Sequence, residues 1–112
     1  LAGQLFQTPT AEKVYHALPL ESEVNRWGDE IYFYVPVEAE LEEGATDVQE
    51  VGNICFWTSG RAIAIFFGPT PVSQGDEPRA YEPVNLIGRI MGDARILAGA
   101  KTGDRVRMEK AS

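Results

Sequence analysis

Glu30 follows the Gly28-Asp29 turn and opens an aromatic run, Ile31-Tyr32-Phe33-Tyr34. A carboxyl at such a strand end can act as a general base when burial raises its affinity for a proton. It can equally be a structural carboxylate that takes backbone hydrogen bonds or pairs with Arg26. Tyr32 and Trp57 join apolar area to a polar tip, which suits a wet pocket as well as cross-strand packing. Phe66 and Phe67 are adjacent, so whichever faces inward belongs to the core. Arg79 can clamp a carboxylate or phosphate with its guanidinium fork, or pair with Asp76 or Glu82 and tie down its own loop. Glu82 is a second candidate acid/base, and Asn85 offers an amide.

These groups need a scaffold, and the chain spells out most of one. Thr8-Pro9-Thr10 opens a helix: a threonine hydroxyl accepts from an early helical N–H, and proline suits the first turn. Ala11, Val14, Tyr15 and Leu18 form one apolar stripe, and Pro19 stops the helix. So short a helix cannot stand alone and must cap a sheet. Residues 1–7 are expected to be the tail of a strand. The chain opens at Leu1 without Met, and part of that first strand is expected to be missing. Segment 20–29 is polar and ends at a turn. Strand 30–37 sends Ile31, Phe33, Val35 and Val37 one way and Glu30, Tyr32 and Tyr34 the other. The six acids of segment 38–50 predict a strand fraying into an exposed loop. Strands 53–58 and 61–67 join at Ser59-Gly60, and the second is apolar on both faces, so both should be covered. Residues 68–83 hold four prolines and two glycines and are expected to be irregular. Strands are predicted at 84–91, 94–98 and 104–109, the last with Val106 and Met108 inward. Many short strands, one early helix and Gly/Pro turns predict a mainly β, closed β-barrel in one domain, 1–112.

Composition narrows the function. Net charge is −7, with eleven acids and two bases in residues 1–60 and three acids and six bases in residues 89–112. The two ends are expected to complement each other. The basic end carries no aromatic residue, which argues against nucleic acid as a partner. No run approaches the roughly 20 apolar residues that cross a bilayer, and no leader is visible. The one cysteine, Cys55, excludes an intrachain disulfide and fits a reducing, cytoplasmic setting. With one histidine, His16, expected to be exposed, there is no His/Cys zinc set, and the acidic segment lacks EF-hand spacing. No metal or cofactor is expected. Ser59 has no histidine partner in view, and Gly99-Ala100-Lys101-Thr102 lacks the spacing of a phosphate-binding loop.

Pro9-Thr10-Ala11-Glu12-Lys13-Val14-Tyr15-His16-Ala17-Leu18 resembles the helix of cyclophilins, and Gly52 through Phe67 resembles the cyclophilin stretch that ends in Phe-Phe. Ile87-Gly88-Arg89-Ile90-Met91-Gly92-Asp93 is similar to that family's Phe-Gly-x-Val-x-x-Gly. The closer resemblance is to the small prokaryotic cyclophilin-like family. Its Trp-Gly-Asp-Glu-Ile-Tyr-Phe, Trp-bearing strand and Phe-Phe-Gly-Pro-Thr-Pro are all present here, and the match spans essentially the whole chain. The resemblance implies an eight-stranded barrel with helix caps.

True cyclophilins flip Xaa-Pro bonds with an arginine aimed at the prolyl nitrogen, carried in a Phe-His-Arg-Val-Ile-Pro strand. The corresponding segment here is Ile31-Tyr32-Phe33-Tyr34-Val35-Pro36. Phe33 stands in the arginine's place, and a slip of one residue supplies Tyr32 or Tyr34, never a guanidinium. Losing a charged donor directed at the transition state costs about 100-fold or more in rate. The family's pocket tryptophan and histidine have no counterparts near Tyr81, Glu82 and Asn85. The expectation is therefore a binding module without prolyl isomerase activity. It would hold a small molecule or extended peptide in a groove of Glu30, Tyr32, Phe33, Trp57, Phe67, Arg79, Glu82 and Asn85. The alternatives are a small enzyme using Glu30 or Glu82 as acid/base, or a weak residual isomerase. Oligomeric state is not legible.

Overall fold

The computed structural model describes residues 1–111. Its elements run in chain order β1 (Ala2–Leu5), α1 (Pro9–Ala17), β2 (Leu20–Glu23), β3 (Asn25–Trp27), β4 (Glu30–Tyr34), β5 (Thr46–Val48), β6 (Asn53–Trp57), β7 (Ala62–Phe66), β8 (Arg79–Met91) and β9 (Arg105–Met108). A short 3₁₀ helix, Ala94–Gly99, lies between β8 and β9. No helix among the described residues is long and apolar enough to cross a membrane.

The main sheet is antiparallel, ordered β1-β8-β6-β7-β4-β3, with β5 paired to the early part of β8; β2 and β9 form a separate ribbon. The ladder starts at β1 and stops at β3, and no pairing joins those two edges. The expected closed barrel is therefore not formed by hydrogen bonds. The helix and the ribbon pack against one face of this open sheet. Ala11 and Val14 of α1, and Leu20, Val106 and Met108 of the ribbon, pack over Phe33, Phe56, Ile63 and Ile87.

Local chemistry explains the elements. The Thr8 hydroxyl accepts from the Ala11 N–H at 3.1 Å and caps α1, with Pro9 at its first position. Ala11 and Val14 are fully buried, whereas Tyr15 is exposed under the Lys110 ammonium, 4.6 Å from its ring. In β4 the pleat sends Ile31 and Phe33 into the core and Glu30 and Tyr32 to the opposite face. Pairing of β4 ends at Tyr34, short of the expected residue 37, although Val35 and Val37 stay buried.

Four stretches depart from the sequence expectation. Segment 20–29 forms β2, where Glu21 lies opposite Arg107 on β9 and within 3.5 Å of it, and β3, which pairs with β4. Segment 38–50 stays irregular until β5. The irregular loop ends at Pro78, not Pro83, since β8 is continuous for 13 residues. Pro83 is accommodated where the β5–β8 register slips, and so removes no essential ladder bond. Residues 94–98 are helical because the Asp93 carboxylate caps the turn, accepting from the Arg95 N–H at 3.0 Å.

Candidate functional site

The long β8 gives the main sheet a second packed face. Its later part pairs with β1 and β6 in the main ladder, while its first residues fold over the opposite side of β6 and β7. There Ala80 and Val84 pack with Cys55, Ala64 and Phe66. The contact does not fill the face, and a cavity of about 370 Å³ remains open beside it. Glu30 and Tyr32 of β4, Trp57 of β6, and Ala64 and Phe66 of β7 form its floor. Trp27 of β3, Val72 of the proline-rich loop and Ala80, Tyr81 and Val84 of β8 form its walls. Its volume lies near the lower end of the roughly 300–1,000 Å³ of small-molecule sites.

Backbone contacts hold the loop in place. The Asp29 N–H donates to the Pro69 carbonyl at 2.9 Å, and the Phe67 N–H donates to the Asp29 carbonyl at 2.9 Å. Gly28 makes this approach feasible: its φ is +61°, and a Cβ there would lie 2.8 Å from Pro71 Cδ and 2.9 Å from Thr70 Cα. The two phrases Trp-Gly-Asp and Phe-Phe-Gly-Pro-Thr-Pro thus interlock. Within the loop, the Thr70 hydroxyl donates to the Arg79 carbonyl and the Ser73 hydroxyl to the Glu77 carbonyl, both at 2.5 Å.

The aromatic walls are oriented in pairs. Tyr32 meets Trp57 edge to face at 6.2 Å, and Trp27 meets Tyr81 in the same way at 6.4 Å. The Trp57 indole N–H donates to Glu82 Oε1 at 2.5 Å. Hydrogen bonds from the Ser59 hydroxyl and this indole hold the Glu82 carboxyl below its usual range. Glu30 has the opposite environment. It is 6% exposed, its Oε1 has no hydrogen-bond partner, and burial pushes its carboxyl up to about 8. Burial, with the Glu30 charge adding to it, also raises the Cys55 thiol; the Tyr32 phenol rises mainly through burial, then through Tyr34, with Glu30 a lesser cause. Two carboxyls about one cavity are thus driven in opposite directions, one toward the neutral acid and one toward the anion.

Of the residues singled out in the sequence, Glu30, Tyr32 and Trp57 meet at the cavity, and Glu82 stands behind Trp57. The others lie elsewhere. Phe33 points to the opposite side of β4, into the core. Phe67 packs with Val24, Ile31 and Ala94 under the Arg26 guanidinium, and its neighbour Phe66 reaches the cavity instead. Arg79 is held by Asp47 and Glu77, each at 3.1 Å, not by Asp76 or Glu82. Asn85 is fully buried across the core, where its amide binds the Thr10 hydroxyl, the Glu40 carbonyl and the Glu42 N–H. That clasp fastens the acidic segment onto the start of α1, where the Glu42 carboxylate accepts from the Thr10 N–H and hydroxyl. Arg26 pairs with Asp29 rather than Glu30, and also donates to the Ala98 and Ala100 carbonyls. No basic side chain lines the cavity among the described residues.

Trp27, Val72 and Tyr81 complete the lining, the last two within the 68–83 segment expected to bound the groove. Trp27 carried a usable signal: it opens the phrase that places Glu30, and its neighbour across the β3–β4 pair is Glu30 itself. The sequence places segment 68–83 beside the groove, but which of its residues line the cavity depends on how the loop and β8 fold back, which no local pattern encodes. Among the described residues no group of three or more His, Cys, Asp or Glu side chains is placed to hold a metal ion.

Comparisons with known proteins agree on one kinship. A family model described as cyclophilin-like matches residues 1–109. The solution structure of a hypothetical protein from Archaeoglobus fulgidus superimposes with a TM-score of 0.80 at 41% identity, covering 97% of this chain and 85% of that one. No curated protein matches.

Proposed function

Because the chain belongs to the cyclophilin-like family, we propose that it is a small-molecule binding module on that fold and that it lacks prolyl isomerase activity. The observation that carries this reading is the preformed aromatic cavity with one buried carboxyl at its floor. Such a site has apolar area for affinity and a few polar groups for orientation, with one carboxyl among them. An isomerase of this fold needs a donor directed at the prolyl nitrogen, and the lining offers a carboxyl and two phenols where a guanidinium is required. The cavity's volume favours a compact molecule over an extended peptide, which needs a long groove or a free strand edge. A buried, free Cys55 suits a reducing compartment, so the cytoplasm is the proposed location.

The two tryptophans of the chain both line the cavity, so intrinsic fluorescence reads occupancy directly. A panel of small neutral, cationic and anionic fragments should include members that shift this emission saturably and perturb amides of residues 30–32, 57 and 80–84. A panel that leaves both signals unmoved overturns the proposal.

A second reading is favoured by Glu30 itself. A carboxyl protonated near neutral pH is the type of group that serves as a general acid. On that reading the module is a small enzyme, with Glu30 transferring the proton and Glu82 positioning Trp57. Turnover of a bound fragment, abolished in Glu30→Gln, is the result that would establish it.

A further inference from the structure

We propose that the cavity selects an organic cation: an alkylated ammonium on a small apolar body, its charge set against Glu30 and its substituents against the aromatic walls. This rests on the reading of the cavity as a ligand site and names the chemical class it takes.

The argument begins with what the lining contains. Five aromatic residues and one carboxyl residue line the cavity, and every other lining side chain is alanine or valine. The faces of aromatic rings are negative, so a cation among them is attracted, most strongly where water is excluded. An anion would meet those same faces and a carboxyl, with no basic group to compensate. A neutral ligand would gain the apolar contact but leave Glu30 Oε1 either unpaired or served by a donor of its own.

The surroundings of Glu30 point the same way. Glu30 is more than nine-tenths buried and lines the cavity, and its Oε1 has no hydrogen-bond partner. The titratable groups around it are Tyr32 on its own strand, Cys55 on β6 and Tyr81 of β8 in the same cavity lining. From β7 it meets Phe66, its cross-strand partner, and from β3 Trp27. The nearby arginines are committed elsewhere, Arg26 to Asp29 and Arg79 to Asp47 and Glu77. A carboxyl with no cation of its own stays protonated in the free protein up to about pH 8. Entry of an ammonium supplies the missing counter-charge, so Glu30 ionises and one proton leaves for each cation bound. Charge inside the cavity is then balanced.

That exchange gives the proposal a signature that simple shape matching cannot produce. Choline and its neutral carbon isostere, 3,3-dimethylbutan-1-ol, have the same outline and differ in charge; choline keeps its charge at every pH used. Both are titrated into the protein from pH 6 to pH 9, followed by tryptophan emission and amide shifts. Choline should bind at least tenfold more tightly than the alcohol at pH 8. Its affinity should rise by about tenfold per pH unit between 6 and 8 and then level off, while that of the alcohol stays constant. Calorimetry in buffers of different ionisation enthalpy should show one proton released per choline at pH 7. Glu30→Gln should bring the two ligands to equal affinity and remove the pH dependence.

Equal binding of the pair, or choline binding that ignores pH in the wild-type protein, overturns the cation assignment and leaves the cavity reading standing. The same holds if choline fails while neutral fragments bind at these residues. If compounds of every charge leave the cavity signals unmoved, both proposals fall together.

Discussion

Glu30→Gln replaces a buried carboxyl with an amide of the same shape, and the structure states how the exchange depends on pH. The Glu30 carboxyl has an ordinary value of 4.5, raised by burial to about 8 in the folded chain. Below pH 4.5 it is neutral in both folded and unfolded chains, and the folded state carries no penalty. Between 4.5 and about 8 the unfolded chain gives up the proton and the folded chain keeps it, so stability falls as pH rises. Above 8 both states are ionised and the loss is complete. At about 1.36 kcal/mol per pH unit, the full span amounts to about 5 kcal/mol. That is large against the 5–15 kcal/mol, roughly, that hold a typical small fold together. The amide introduced by the substitution does not titrate. Urea unfolding of wild type and Glu30→Gln, measured in parallel from pH 5 to pH 9, cancels every other titration in the difference. The variant should gain on the wild type by about 1.4 kcal/mol per pH unit, reach a total gain near 4 kcal/mol between pH 5 and 8, and show no further gain above. A difference that stays flat across that range would refute the burial of an unpaired carboxyl, and with it the electrostatic basis of the site.

Further outcomes follow from named contacts. Gly28→Ala places a side chain at φ +61° against Pro71 and Thr70 and should destabilise the fold by about 1–3 kcal/mol in urea; an unchanged midpoint would mean that the loop does not rest on this turn. Asn85→Ala removes the clasp between α1 and the acidic segment and should cost about 1–3 kcal/mol while leaving fragment binding at the cavity intact. Weakened binding without loss of stability would return Asn85 to the site. Glu82→Leu deprives the Trp57 indole N–H of its acceptor, so fragment affinity should fall several-fold and tryptophan emission should shift; unaltered emission would show that Glu82 does not orient the ring. In a protease-coupled assay of an Xaa-Pro peptide, the protein should leave the uncatalysed rate unchanged, and clear acceleration that Tyr32→Phe abolishes would overturn the negative assignment.

The strands that hold the cavity floor were readable because their alternation is strict. Glu30 and Tyr32 stand on one face and Ile31 and Phe33 on the other, and β7 is apolar on both faces because both are covered. Two turn phrases were visible as well, although nothing local showed that Gly28 would seat Pro69 and Pro71. Long-range placement was not legible. Phe33, Phe67, Arg79 and Asn85 carry the right chemistry for a site, but pleat direction sends Phe33 inward, while Asp47 and Thr10, each more than thirty residues from its partner, claim Arg79 and Asn85. The 13-residue β8 was hidden by Pro83, since proline argues against a strand unless a bulge absorbs it. The open ladder was equally hidden, because whether the β1 and β3 edges meet is a matter of long-range topology and not of the composition of either edge.

β8 has one more implication. Its first residues wall the cavity and its later ones, through Ile87, knit the centre of the fold between β1 and β6. A guest molecule therefore leans on a rib that also bears the global architecture. Its grip should register in the melting temperature and in slowed amide exchange from Val84 through Ile90, well beyond the atoms it touches.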